Sequence, residues 1–157
     1  MSKLKLTKYR SSYVGFIFQD YNLLDTMSLE DNIALPLSLN GVSSKRCKEE
    51  TENLAKMFGL QEHLKKYPYQ LSGGQKQRVA IVRSLVKDTK IIMADEPTGA
   101  LDSATGIQVI ETLKKLSKDR LVIIVSHDMD EIAENCTRAA IFLRWRSCRS
   151  QVRLFIY

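Results

Sequence analysis

Cysteine is scarce in this chain, and what there is lies far apart. Cys47, Cys136 and Cys148 form no CxxC pair, which excludes a disulfide framework and a zinc site and leaves three reduced thiols as the reading. Long apolar runs are lacking as well. The longest, such as Leu121 to Val125, have the length of buried strands and fall well short of the roughly 18–20 apolar residues that cross a bilayer. Lys3, Lys5, Lys8 and Arg10 are followed by no apolar segment, so the N-terminus does not read as a signal peptide. A cytoplasmic chain is the expectation. There is no internal repeat and no low-complexity segment, which excludes a repeat array and a disordered linker.

What is present suits one soluble globular domain. The 157 residues are 44% hydrophobic and 27% charged, enough to bury a core. The net charge of +6 raises nucleic acid as a partner, but its distribution argues against that. Four bases and no acid lie in residues 1–10, and Arg144, Arg146, Arg149 and Arg153 lie in an acid-free 144–157. The body between these ends is therefore slightly acidic, and no nucleic-acid partner is expected.

The pattern along the chain changes character once. Residues 13–18, YVGFIF, read as a strand. Residues 28–40 read as a helix interrupted by Pro36, with a turn at Asn40-Gly41. Residues 44–58 repeat Cys47, Thr51, Leu54 and Phe58 at helical spacing, with Gly59 placed to end the helix. A short helix around 61–66 and another over Gln75–Lys87, with Val79, Val82 and Val86 on one side, complete this part. His63 reads as a surface residue. Beyond it, Ile91–Ala94, Leu121–Val125 and Ala139–Leu143 read as strands, separated by helices over 103–117 and 129–136. Strands alternating with helices predict a parallel sheet covered by helices. The helical stretch about 28–87 reads as an inserted subdomain, and about 88–143 as the sheet core.

Three short segments carry chemistry. Leu71-Ser72-Gly73-Gly74-Gln75 leads into a helix. Its glycines let backbone amides approach an anion, the helix start points further amides the same way, and the Ser72 hydroxyl adds a donor. An ordinary capped helix explains the same residues equally well in isolation. Asp95-Glu96-Pro97-Thr98 follows the apolar strand IIMA directly. A carboxylate at the end of a parallel strand sits where such sheets bind ligands. Asp95 is placed to hold Mg2+, which takes a few carboxylates plus phosphate oxygens. Glu96 is placed to take a proton from an attacking water. Ser126-His127-Asp128 ends the next strand on the same edge, where His127 could donate to a terminal phosphate. Gln19, after the first strand, offers a neutral amide to both metal and water.

Together these residues resemble the nucleotide-binding domain of ABC transporters, over roughly residues 9–143. LSGGQ resembles the family signature, IIMADEPTGALD the Walker B strand and D-loop, Ser126-His127-Asp128 the H-loop and Phe18-Gln19 the Q-loop, in the family's order and spacing. The resemblance implies an α/β fold, a partial RecA-like (P-loop NTPase) parallel sheet with an inserted α-helical signature subdomain. It implies ATP and Mg2+ as ligands, with Asp95 and Gln19 at the metal, Glu96 as general base and His127 at the γ-phosphate. Ser72, Gly73, Gly74 and Gln75 would contact ATP held by an opposite subunit, and Asp102 would communicate across a head-to-tail dimer of two cassettes. A separate membrane permease is implied as partner, docking near Gln19 and the helical subdomain and holding the chain at the inner face of the membrane. The wording PTGALD, with GFIFQDYNLL around Gln19, is most similar to the subgroup serving lipoprotein release, macrolide export and antimicrobial-peptide resistance.

Two departures from the family pattern matter. The family places GxxxxGK[ST], the Walker A loop that wraps the phosphates, before the Q-loop. Here Gly15 is the only glycine before Gly41, so the chain reads as N-terminally truncated, and weak ATP binding and no hydrolysis by the chain alone are the expectation. Residues 144–157, RWRSCRSQVRLFIY, also leave the pattern. They read either as a basic tail touching anionic lipid or as sequence out of its natural frame, and composition favours the second. Two further functions stand beside a transporter ATPase. One is a non-catalytic partner lending its LSGGQ face to an intact subunit. The other is a DNA-repair or chromosome-structure ATPase, whose relatives insert long coiled coils or zinc modules where this chain has only residues 20–71.

Overall fold

The computed structural model describes residues 3–126, 136–142 and 152–156. Its elements run α1 (Lys3–Tyr13), β1 (Val14–Ile17), α2 (Leu29–Ser38), α3 (Ser44–Met57), α4 (Gly73–Leu85), β2 (Ile91–Asp95), α5 (Ser103–Leu116), β3 (Leu121–Ser126), β4 (Arg138–Phe142) and β5 (Val152–Ile156). Single 3-10 turns at Gln61–His63 and Pro68–Gln70 replace the short helix expected around 61–66. The helix expected over 129–136 lies outside the described residues except for Cys136, which is irregular. No helix among the described residues is long and apolar enough to cross a membrane.

Local chemistry sets most of these boundaries. Ser28 caps α2, its hydroxyl accepting from the Asp31 N–H at 3.1 Å, with Glu30 and Asp31 in the favourable first turn. The α3 C-terminus closes as a Schellman motif. Gly59 at φ +67° turns the chain, its N–H reaches the Lys56 carbonyl, and the Leu60 N–H reaches that of Ala55. Leu60 and Ala55 are both fully buried there, the apolar contact that such a turn brings with it.

The sheet order is β1-β2-β3-β5-β4. β1, β2 and β3 are parallel, in register Phe16 with Met93 with Ile123 and Ile17 with Ala94 with Ile124. This is the parallel sheet that the alternating pattern predicts, and α5 makes the crossover from β2 to β3. One feature differs. No strand was expected past Leu143, yet Val152–Ile156 forms β5, antiparallel to both β3 and β4 and lying between them. β4 therefore does not pair with β3.

Two apolar clusters share one helix. Ile17, Ile92, Ala94, Val122 and Ile124 of the sheet bury one face against Ile81 and Leu85 of α4 and Val109, Ile110 and Leu113 of α5. The other side of α4 gives Val79, Val82 and Val86 to a second cluster with Leu29, Ile33, Cys47 and Leu60. Helix α4 is thus apolar on two sides, and its C-terminal half, over residues 79–86, is packed between the sheet and the helical half. That position decides where the LSGGQ segment points.

Candidate functional site

Because β1, β2 and β3 are parallel, their C-terminal ends share one edge. Asp95 is the last residue of β2, paired in register with Val125, and its side chain is exposed. Glu96 follows at φ +47°, a left-handed conformation unusual for a side-chain-bearing residue. Its N–H continues the ladder to the Val125 carbonyl at 2.8 Å. The Ser126 hydroxyl, at the end of β3 and almost fully buried, donates to Glu96 Oε2 at 3.0 Å. Gln19 comes to the same place from β1. A carbon added at Gly99 would lie 3.1 Å from Gln19 Nε2 and 3.6 Å from Glu96 Cβ, so both side chains flank that glycine. His127 lies outside the described residues.

The LSGGQ segment builds its own geometry. Ser72 is the N-cap of α4, its Oγ accepting from the Gln75 N–H at 3.3 Å while Gln75 Oε1 accepts from the Ser72 N–H at 3.0 Å. This reciprocal capping box starts the helix at Gly73, two residues before the expected Gln75. Gly73 and Gly74 occupy the first turn, where amides have no intrahelical acceptor. Gly74 also has a packing reason to be glycine, because a Cβ there would stand 2.5 Å from the Thr105 methyl. Thr105 is tied in turn to Asp102, the N-cap of α5. Asp102 Oδ2 accepts from the Thr105 hydroxyl at 2.7 Å and Oδ1 from the Thr105 N–H at 3.0 Å. Those two bonds hold the Asp102 carboxyl below its ordinary range.

Loop 96–102 joins the two groups of residues. At one end it carries Glu96 beside Gln19. At the other, Ala100 and Leu101 lie against Gly73. The buried Gln77 of α4 fixes the loop's middle, donating from Nε2 to the Pro97 carbonyl at 2.5 Å. A second tether from α4 holds the loop after Gln19. Arg83 donates to the carbonyls of Tyr21 at 2.6 Å and Asn22 at 2.5 Å. Both of those residues have positive φ, 61° and 48°, so the guanidinium fork secures a backbone turn that sequence alone does not favour. Burial lowers the Arg83 pKa, and burial with Asp20 beside it raises that of the Tyr21 phenol.

The structure therefore brings Gln19 to Glu96 and Ser72–Gln75 to Asp102, in two adjoining groups. Four residues that support these groups are not marked for that role by sequence: Ser126 bonds Glu96 and His63 lies against Gln75, while Gln77 and Arg83 tether the neighbouring loops. Helical periodicity marks Gln77 and Arg83 only as polar positions, and Ser126 stood out only as the neighbour of His127. His63 was read as surface and is not. It is half-buried, with Nε2 at 3.1 Å from Gln75 Nε2.

The donors fit the expected ligands in a particular way. No cluster of three or more His, Cys, Asp or Glu that could hold a metal occurs among the described residues. Asp95 and Gln19 supply one carboxylate and one amide oxygen, which suits Mg2+ shared with phosphate oxygens and water and does not suit an all-protein cage. The free first-turn amides at Gly73 and Gly74 suit an anion approaching the end of α4 from outside the chain.

The chain matches the family model described as ABC transporter over residues 2–99. It is 40% identical over 147 residues to the bacitracin export ATP-binding protein BceA of Halalkalibacterium halodurans, covering 92% of this chain and 58% of that protein. It is 41% identical over 130 residues to the methionine import ATP-binding protein MetN of Photobacterium profundum, covering 82% of this chain and 38% of that protein. Among solved structures, the dimeric structure of MJ0796, a bacterial ABC transporter cassette, superposes with a TM-score of 0.76 at 37% identity, over 91% of this chain and 63% of that one. A dimeric post-hydrolysis state of the same cassette, bound to ADP and Pi, gives 0.71 at 38% identity, over 83% of this chain and 59% of that one. The chain thus spans between 38% and 63% of the lengths of these proteins.

Proposed function

The chain belongs to the ABC transporter ATP-binding family, and from that premise we propose that it is the ATP-binding part of a transporter that couples ATP binding and hydrolysis to export or release of a substrate through a separate membrane permease. The observation that carries this reading is loop 96–102, which has Glu96 and Gln19 at one end and Gly73 of the capped LSGGQ helix at the other. In this reading Glu96 takes the proton of the attacking water, with Ser126 orienting its carboxylate. Asp95 and Gln19 share the Mg2+, which when bound would neutralise phosphate charge. His127 meets the γ-phosphate. Ser72, Gly73, Gly74 and Gln75 face the ATP of an opposite cassette in a head-to-tail dimer, and Asp102 lies where the two would communicate. The dimeric form of the cassette MJ0796 supports the pairing. The permease would hold the chain at the inner face of the cell membrane.

Relatives named for export and for import are equally similar, so the direction rests on the wording around Gln19 and after Asp95. A second reading has its own observation. The LSGGQ end takes its capping box wholly from this chain and leaves the first-turn amides of Gly73 and Gly74 without an intrahelical acceptor. A non-catalytic partner lending that end to an intact cassette fits this arrangement. ATPase rates of the chain alone and of a mixture with an intact cassette test both readings. The expected result is a negligible rate alone and a raised rate in the mixture. A magnesium-dependent rate from the chain alone, lost on Glu96→Gln, would overturn the half-site reading, and no response in either arm would overturn both.

A further inference from the structure

His63 makes a contact that fixes where its own proton sits. The Ser72 backbone N–H can only donate, so the Gln75 amide atom 3.0 Å from it is the oxygen. The other end of that amide is then the NH2 group, which lies 3.1 Å from His63 Nε2. Nε2 must accept, and a neutral imidazole that accepts at one nitrogen carries its proton on the other. That other nitrogen, Nδ1, is buried without a hydrogen-bond partner among the described residues. No acceptor at Nδ1 selects this tautomer, so the Gln75 amide does.

A ring bearing two protons donates from both nitrogens, and the same geometry then sets His63 Nε2–H against the Gln75 NH2. The conflict is part-buried, while the Ser72 cap lies at an exposed turn where water can take a released N–H. Turning the Gln75 amide over restores a charge-assisted bond to His63 and gives up the Ser72 N–H. Charged groups on the elements around this turn include Glu62 beside His63, Lys65 and Lys66 after it, Glu30 and Asp31 at the start of α2, Glu52 and Lys56 in α3, which packs against the turn, and Lys76 and Arg78 in α4. Glu30 is already paired with Lys65.

We propose that His63, as the neutral Nδ1–H tautomer, is a positioning residue for the LSGGQ helix, and that a second proton on its ring turns the Gln75 amide over and opens the capping box. The consequence for ATP turnover rests on the reading that Gln75 faces the nucleotide of an opposite subunit, but the hydrogen-bond logic does not. A long-range proton–nitrogen correlation spectrum of the 15N-labelled chain, followed with pH, reads the tautomer directly. His127 is the only other histidine, so His63→Gln assigns the ring.

The expected result is the Nδ1–H pattern for neutral His63 and a Ser72 amide shift that tracks the ring's own titration midpoint. In His63→Gln, which keeps a neutral acceptor, the Ser72 amide no longer follows that midpoint. The Nε2–H pattern for neutral His63, or a wild-type Ser72 amide indifferent to the ring's titration, overturns the proposal. If ring and amide behave as expected but the chain fails to stimulate an intact cassette at any pH, the nucleotide reading falls and the His63 arrangement stands.

Discussion

The LSGGQ end of α4 and the carboxylate edge of the sheet lie side by side but are built in different ways. At the helix end, Ser72 and Gln75 cap one another across three residues, and Asp102 and Thr105 do much the same at the start of α5. At the sheet edge, Gln19, Glu96 and Ser126 arrive from three strands, and their positions depend on the register of β1, β2 and β3. A site made of short-range bonds is complete once its helix forms, whereas a site made of strand ends requires the whole sheet. The two ends should therefore respond differently to the same disturbance.

The largest effect expected from breaking one side alone is in the sheet core. Ile124 is fully buried on β3, two residues before Ser126. Ile124→Ala should lower unfolding free energy by about 2–5 kcal/mol in denaturant titration. Below the unfolding transition it should loosen the Glu96–Ser126 contact while amide exchange at Ser72 and Gln75 stays near wild type. Equal loosening at both ends would remove the distinction. A smaller effect is expected where α4 meets α5. Gly74→Ala pushes a methyl into the Thr105 side chain and should cost about 1–3 kcal/mol. Thr105→Ser, which removes that methyl and keeps the hydroxyl, should recover most of the loss in a double-mutant cycle.

The smallest effect is a matter of pH. The Thr105 hydroxyl and N–H hold the Asp102 carboxyl below its ordinary range. Its contribution to stability is therefore fully present above the ordinary carboxylate value and is lost as pH falls through its own lower one. Asp102→Asn should flatten that acid limb slightly in thermal melts, because the carboxylate is exposed. An acid limb identical in the variant would mean the cap contributes nothing measurable.

How much could be read from sequence follows the same division. Strands β2 and β3 and the Gly59 helix stop were legible, since apolar runs and left-handed glycines act locally. Helix α4 is legible too, though the side-chain pattern starts it at Gln75 and the structure at Gly73, because two glycines carry no side chain for a periodicity to register. Strand β5 is not legible, because VRLFI lies in an arginine-rich stretch with no strand pattern around it, and its pairing with β3 and β4 is set by distant chain. The tethers Gln77 to Pro97 and Arg83 to Tyr21 and Asn22 were illegible for a related reason, since they bridge 20 and 61–62 residues. His63 was misread because a histidine on a short turn gives no sign of what folds against it.

The most direct measurement is the ATPase rate of an intact cassette mixed with this chain as wild type, Ser72→Ala or Glu96→Gln. If the helix end is a self-contained half-site, Ser72→Ala should reduce the stimulation by about 10²-fold, the loss usual for one preorganised donor, while Glu96→Gln leaves it unchanged. Stimulation that survives Ser72→Ala but disappears with Glu96→Gln would contradict the account.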